Sequence, residues 1–145
     1  MFPVKTLPDW SLYNVYYMAS TRRTGTIGEN IARQFLERKG FSIIEMNYRK
    51  TYGEIDIIAE KEGTVRFVEV KSVTREPSAD ISRVTDSYRP EELAHESKLH
   101  KVARTAQAYM AARGDVRDYQ VDVVGVILDP INKQARCRLF EQVLG

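Results

Sequence analysis

Gly53-Glu54-Ile55-Asp56-Ile57-Ile58-Ala59-Glu60, followed after three residues by Thr64-Val65-Arg66-Phe67-Val68-Glu69-Val70-Lys71, is the stretch that decides the fold. The first run is rich in isoleucine and the second in valine and phenylalanine, which suit a pleated, half-buried surface, and Lys61 to Gly63 has the length of a hairpin connection. Residues two apart on a strand share a face, so Glu69 and Lys71 stand side by side beyond the core-like Val65 and Phe67. The hairpin brings Asp56 across from Glu69. Two carboxylates then meet one lysine.

Like charges this close are unfavourable unless something positive sits between them, and a hard divalent cation with oxygen ligands is the usual solution. Mg2+ or Mn2+ is therefore the implied cofactor. Such an ion lowers the pKa of a bound water and stabilises charge on a transferring phosphoryl group, while Lys71 orients that water or stabilises negative charge. The chemistry is that of phosphodiester hydrolysis. The plainer reading is a solvated Glu69–Lys71 pair of small energetic value at a strand end.

Outward from the hairpin, Thr26 opens a segment in which Ile27, Ile31, Ala32, Phe35 and Leu36 fall on one helical face, ending at Gly40. Phe41 to Arg49 reads as a strand. Ser72 to Pro90 is polar, with no sustained period, and reads as a long loop, a feature often functional in a small domain. From about Glu91 to Arg113 a second helix aligns Leu99, Val102, Ala103, Ala106 and Met110, with Lys98, Lys101 and Arg104 largely beside that stripe. Tyr119 to Leu128 is apolar on both strand faces, as in a strand covered on both sides, and Ala135 to Val143 supplies a last strand. The order α-β-β-β-α-β-β predicts an α/β fold with a mixed five-stranded sheet flanked by helices.

A chain of 145 residues with 43% hydrophobic residues buries a full core as one domain, here residues 25–145, without disulfide or structural metal. Residues 1–24, with Trp10 and several tyrosines, read as an extension: an ordered aromatic arm, or a targeting presequence. The single Cys137 points to a reducing intracellular compartment, with the cytoplasm expected, or the mitochondrion or nucleus if the extension is a targeting signal. A net charge of +2 lacks the excess of a protein that coats nucleic acid, so phosphate binding must come from local arrangement. No apolar run approaches the ~20 residues of a membrane span, so no membrane partner is expected.

Glu29 is a further candidate acid, although Thr26-Ile27-Gly28-Glu29 also matches a capping box with Thr26 as the cap. Gly28 is poor for a helix and suggests close approach by another element or a phosphate. Asp122, inside an apolar strand, is expected to be a buried, hydrogen-bonded acid. His95 and His100 read as surface residues, and packing explains the eight tyrosines more economically than base stacking does. No phosphate-binding Gly-rich loop, dinucleotide fingerprint or nucleophile elbow is present.

Gly25-x-x-Gly28-Glu29-x-x-Ala32, Gly40-Phe41, Asn47-Tyr48-Arg49, Gly53 to Ala59, Phe67 to Lys71, Lys98 and Asp122-Val123-Val124, in that order, resemble the YraN-like family. That family is similar to archaeal Holliday-junction resolvases of the PD-(D/E)XK superfamily. The resemblance, from about Gly25 to Leu128, implies a restriction-endonuclease-like core. It also implies a site in which Asp56 and Glu69 bind the ion, the backbone carbonyl of Val70 is an extra ligand, Glu29 completes the acids and Lys71 assists the water. Lys98 sits where a phosphate contact is expected. Two positions depart from the family pattern: Val73 and Gln120 stand where arginines are usual, which puts substrate binding, or support of Asp122, in question. Arg75, in the long loop, is a candidate replacement and, with Lys98 and Lys101, a candidate nucleic-acid contact.

The expected function is a Mg2+- or Mn2+-dependent endonuclease acting on structured or branched DNA, with Glu29, Asp56, Glu69 and Lys71 as catalytic residues. DNA is favoured over RNA as partner, and a homodimer would set two sites against two strands. The alternatives are a nucleic-acid-binding module that keeps the acids as structure, and a partner of a larger assembly built on a retired nuclease fold.

Overall fold

The computed structural model of the chain describes residues 11–14, 24–74 and 96–144. Its elements are β1 (Ser11–Asn14), α1 (Thr24–Arg38), β2 (Ser42–Lys50), β3 (Gly53–Lys61), β4 (Thr64–Thr74), α2 (Glu96–Ala112), β5 (Tyr119–Asp129) and β6 (Gln134–Phe140). The expected α/β order is present, and β1 adds a sixth strand by pairing antiparallel with β6, Ser11 opposite Cys137. The rest of the N-terminal extension lies outside the described residues, as does most of the expected long loop, including Arg75.

The sheet order is β1-β6-β5-β4-β3-β2. Only β4 and β5 run parallel, and every other neighbouring pair is antiparallel. At the β3–β4 turn, Glu62 and Gly63 adopt φ of 52° and 80°. Positive φ at both positions gives a two-residue turn whose twist matches that of the flanking strands. The turn sets Ile57 opposite Val68. Carrying that register one step on places Asp56 across from Glu69.

A helix covers each face of the sheet. On one side Ile31, Ala32, Phe35 and Leu36 of α1 meet Ile57, Ala59, Val68, Val124, Val126 and Leu128. On the other, Leu99, Val102, Ala106, Tyr109 and Met110 of α2 meet Ile55, Ile58, Phe67, Val123 and Ile127. Val121 to Leu128 is buried throughout, as the unbroken apolar run requires.

Two boundaries differ from the sequence expectation. Strand β4 continues to Thr74, because Ser72, Val73 and Thr74 pair with Val126, Ile127 and Leu128 of β5; a polar sequence is held as strand by its parallel neighbour. Helix α1 begins at Thr24, so Thr26 lies inside the helix and is not its cap. The expected start of α2 near Glu91 lies outside the described residues, which show the helix from Glu96.

Two glycines admit the helices. A Cβ on Gly28 would overlap the Ser72 hydroxyl, and one on Gly53 would overlap that of Thr105. Gly28 therefore seats α1 against β4 beside Lys71, which bears out close approach by another element. Gly53 does the same for α2 against β3.

Candidate functional site

The acids meet where β3 and β2 exchange faces. Along β2, Met46 faces the α1 core and Tyr48 the α2 core, and along β3, Ile57 faces α1 and Ile55 faces α2. Regular alternation would keep residues two apart on one face. Both strands therefore twist at the intervening residues, Asn47 and Asp56, and Asn47 takes φ of 52°. A short amide side chain tolerates that left-handed conformation better than most residues do. The twist carries Asp56 off the regular ladder.

Asp56 is then anchored by the main chain of β4: the Val70 N–H donates to its Oδ2 at 2.8 Å. In an extended strand a residue's N–H and C=O point to the same edge, so the Val70 carbonyl faces the Asp56 side. Val70 lies beyond the paired part of the β3–β4 ladder, which ends at Ile57 and Val68.

Glu69 is buried, with only 3% of its surface exposed. Lys98 of α2 places its Nζ 2.7 Å from Glu69 Oε2. Burial, and next the charge of Asp56, push the Glu69 carboxyl up to about 7; a hydrogen bond with Asp56 adds to the rise and Lys98 opposes it. The same pair holds the Lys98 ammonium above its ordinary value, first through its hydrogen bond to Glu69. Two carboxyls thus compete for one cation. Replacing the long Lys98 side chain by a divalent ion would relieve the same strain.

Glu29 approaches from α1. Burial, and after it the Asp56 carboxylate, raise its pKa, against a hydrogen bond from the Asn47 side chain. That bond, together with the earlier helix start, replaces the capping role expected from sequence. Among the described residues no three Asp, Glu, His or Cys side chains converge as a metal-binding group. The arrangement is a close pair, Asp56 and Glu69, with Glu29 at longer electrostatic range. A magnesium ion is commonly held by one or two carboxylates plus waters and substrate oxygens, so the all-oxygen set of Asp56, Glu69 and the Val70 carbonyl fits a hard divalent cation.

Lys71 is exposed and, by alternation, on the Glu69 side of β4. Lys98 and Lys101 line a cleft of about 660 Å³ between the β2–β3 turn and α2, with Lys50, Tyr52 and Arg104. His100 is exposed, and His95 and Arg75 lie outside the described residues. Val73, at a position where the family pattern has arginine, packs against the α2 core.

Asp122 is fully buried and separate from the pair. It accepts from Arg66 Nη1 at 2.9 Å, Gln120 Nε2 at 2.8 Å and the Gln142 N–H at 2.9 Å. It is the buried, hydrogen-bonded acid expected from its apolar strand, and Gln120 still supports it. Arg66, which supplies the positive charge, was not singled out by sequence. Asn47 carries no signal in sequence either, because Met46-Asn47-Tyr48 alternates regularly there and the twist shows only in the structure.

Residues 28–126 match the model of Uncharacterised protein family UPF0102, the YraN family, a span that includes Glu29, Asp56, Glu69, Lys71 and Lys98. Over 110 residues the chain is 39% identical to a UPF0102 protein of Alkaliphilus metalliredigens, covering 74% of this chain and 88% of that one. It is 37% identical to a UPF0102 protein of Syntrophus aciditrophicus over 118 residues, 80% of this chain and 85% of that one. A UPF0102 protein of Campylobacter fetus is 37% identical over 100 residues, 69% of this chain and 80% of that protein.

Proposed function

The chain belongs to family UPF0102, and from that premise we propose that it is a metal-dependent nuclease hydrolysing phosphodiester bonds in structured or branched DNA. The observation that carries the reading is the Asp56–Glu69 pair: a buried carboxyl held against a second carboxylate, with a raised pKa, beside an exposed lysine. Burying such a pair without function is costly, and sites with strongly shifted carboxyls are enriched in catalysis.

In this reading Asp56, Glu69 and the Val70 carbonyl hold Mg2+ or Mn2+. When bound, the ion lowers the pKa of a water and stabilises the charge that develops on the phosphate. The Val70 N–H fixes the Asp56 rotamer from behind. Lys71 orients the attacking water and stabilises negative charge near it. Glu29, held by Asn47, acts at longer range on the same waters. Lys98, paired with Glu69 and lining the neighbouring cleft, would be in place to contact a substrate phosphate. The resemblance to junction-cleaving enzymes supports branched DNA as substrate, and with it a homodimer.

Asp56→Asn is expected to lower cleavage of a branched DNA in Mg2+ or Mn2+ by at least about a hundredfold while leaving the melting curve intact. Retained cleavage would remove Asp56 from the mechanism. One observation favours a second reading, a nucleic-acid-binding module with a retired site: Lys98 already neutralises Glu69 within the chain. That reading requires salt-sensitive binding without turnover in any metal, and turnover lost with Glu69→Ala would exclude it.

A further inference from the structure

Apart from Lys98, the cleft beside the acid pair carries chemistry that the proposed reaction does not use. It lies between the β2–β3 turn and the first turns of α2, and Lys50, Lys98, Lys101 and Arg104 contribute to its walls. Glu54 is the acid of the lining, and it pairs outward with Arg49 at 3.8 Å. Among the described residues no ion pair engages Lys50, Lys101 or Arg104. In a chain whose net charge is only +2, this is a local concentration of positive charge.

At the tip of the turn stands Tyr52, 51% exposed. Its hydroxyl is 3.1 Å from that of Tyr48, which is buried edge-on against Tyr109. The Arg113 guanidinium lies 3.5 Å from the Tyr109 ring centre and braces the same group. The Tyr52 side chain is thus tied at its far end while much of its surface faces solvent. An aromatic ring held in place among cations is a stacking platform, since every base offers a π face.

We propose that this cleft seats an unpaired stretch of a DNA strand, its phosphates on Lys50, Lys101 and Arg104 and one base stacked on Tyr52. A cleft of about 660 Å³ has the volume of a small-ligand pocket, enough for a few nucleotides of one strand. Lys98 belongs to the cleft and to the acid pair at once, so a strand lying there leads its next phosphate to Asp56 and Glu69. The substrate preferred by the site is then one with a splayed or flapped strand beside the cleavage point. This inference deepens the nuclease reading and rests on it for the position of the cleaved phosphate.

Binding measured in chelator separates the two. Fluorescence anisotropy would compare a short oligodeoxythymidylate, a blunt duplex and thymidine monophosphate, with wild type, Tyr52→Ala, Tyr52→Phe and Lys101→Gln. The oligonucleotide is expected to bind more tightly than the mononucleotide. Tyr52→Ala should weaken it roughly tenfold with an unchanged melting curve, and Tyr52→Phe should weaken it less, because the ring is retained while its tie to Tyr48 is lost. Lys101→Gln should flatten the salt dependence by about one phosphate contact. Binding of the blunt duplex should be insensitive to Tyr52. Equal losses for duplex and single strand, no loss with Tyr52→Ala, or a mononucleotide that binds as well as the strand would overturn the inference. Tyr52-dependent binding without cleavage in any metal would sink the nuclease reading and leave the cleft standing.

Discussion

Two buried carboxylates stand on adjacent strands, Glu69 on β4 and Asp122 on β5, and their surroundings could hardly differ more. Asp122 has three donors, a guanidinium, an amide and a main-chain N–H, all within 2.9 Å. Glu69 has one ammonium at 2.7 Å and a second carboxyl beside it. Arg66, partner to the first, is itself buried and also reaches Glu141 at 3.0 Å, whereas Lys98, partner to the second, has a half-exposed side chain lining a cleft. A saturated acid welds elements together. An acid with too few partners and a like-charged neighbour keeps a raised pKa, and the proposed cation site rests on that strain.

The sharpest way to break the comparison is to truncate each acid. Asp122→Ala leaves the buried Arg66 guanidinium with only the exposed Glu141 to pair with and should cost about 3–5 kcal/mol, read by urea unfolding. Glu69→Gln should cost far less than that, while abolishing metal-dependent cleavage. Equal destabilisation by the two would erase the distinction.

The two should next separate by pH. In metal-free protein the unfolded chain releases the Glu69 proton near 4.5, but the native chain holds it until about 7. The native state carries the extra proton between these values, so stability is greatest at the acid end of the window and falls as pH rises through it. The loss is at most about 3 kcal/mol, and Glu69→Gln should flatten it. A fall that persists in that variant would assign the titration to another group.

Smaller effects sharpen the edges of the account. Gly28→Ala presses a methyl into Ser72, next to Lys71, and should cost about 1–3 kcal/mol, with partial recovery in a Gly28→Ala, Ser72→Gly double variant. Full stability of the single variant would show that α1 can slide without consequence. At the floor, Arg33→Ala removes an exposed pair with Glu37 one helical turn away and should change stability by less than about 0.5 kcal/mol.

Much of this contrast was legible before any coordinates, because it rests on local period. The isoleucine and valine runs flanking Lys61 to Gly63 specify the hairpin, and the hairpin register alone sets Asp56 across from Glu69. The unbroken Val121 to Leu128 run marks a strand covered on both faces. What sequence could not supply is partnership at a distance. Arg66 reads as one charged residue in a strand, and only the parallel pairing of β4 with β5 brings it to Asp122. The extension of β4 to Thr74 likewise depends on that pairing, since Val73 and Thr74, though β-branched, open a polar stretch with no sustained period. Glu29 was legible as an acid, but the twist at Asn47 that supplies its partner depends on two strands bending together.

The central claim is that the Asp56–Glu69 pair is a divalent-cation site, and calorimetric titration of Mn2+ into the full chain tests it most directly. The wild type should bind the ion and release protons near pH 7, and the Asp56→Asn, Glu69→Gln double variant should bind none with its fold intact. Unchanged binding in that variant, or no binding by the wild type with a branched DNA present, would contradict the account.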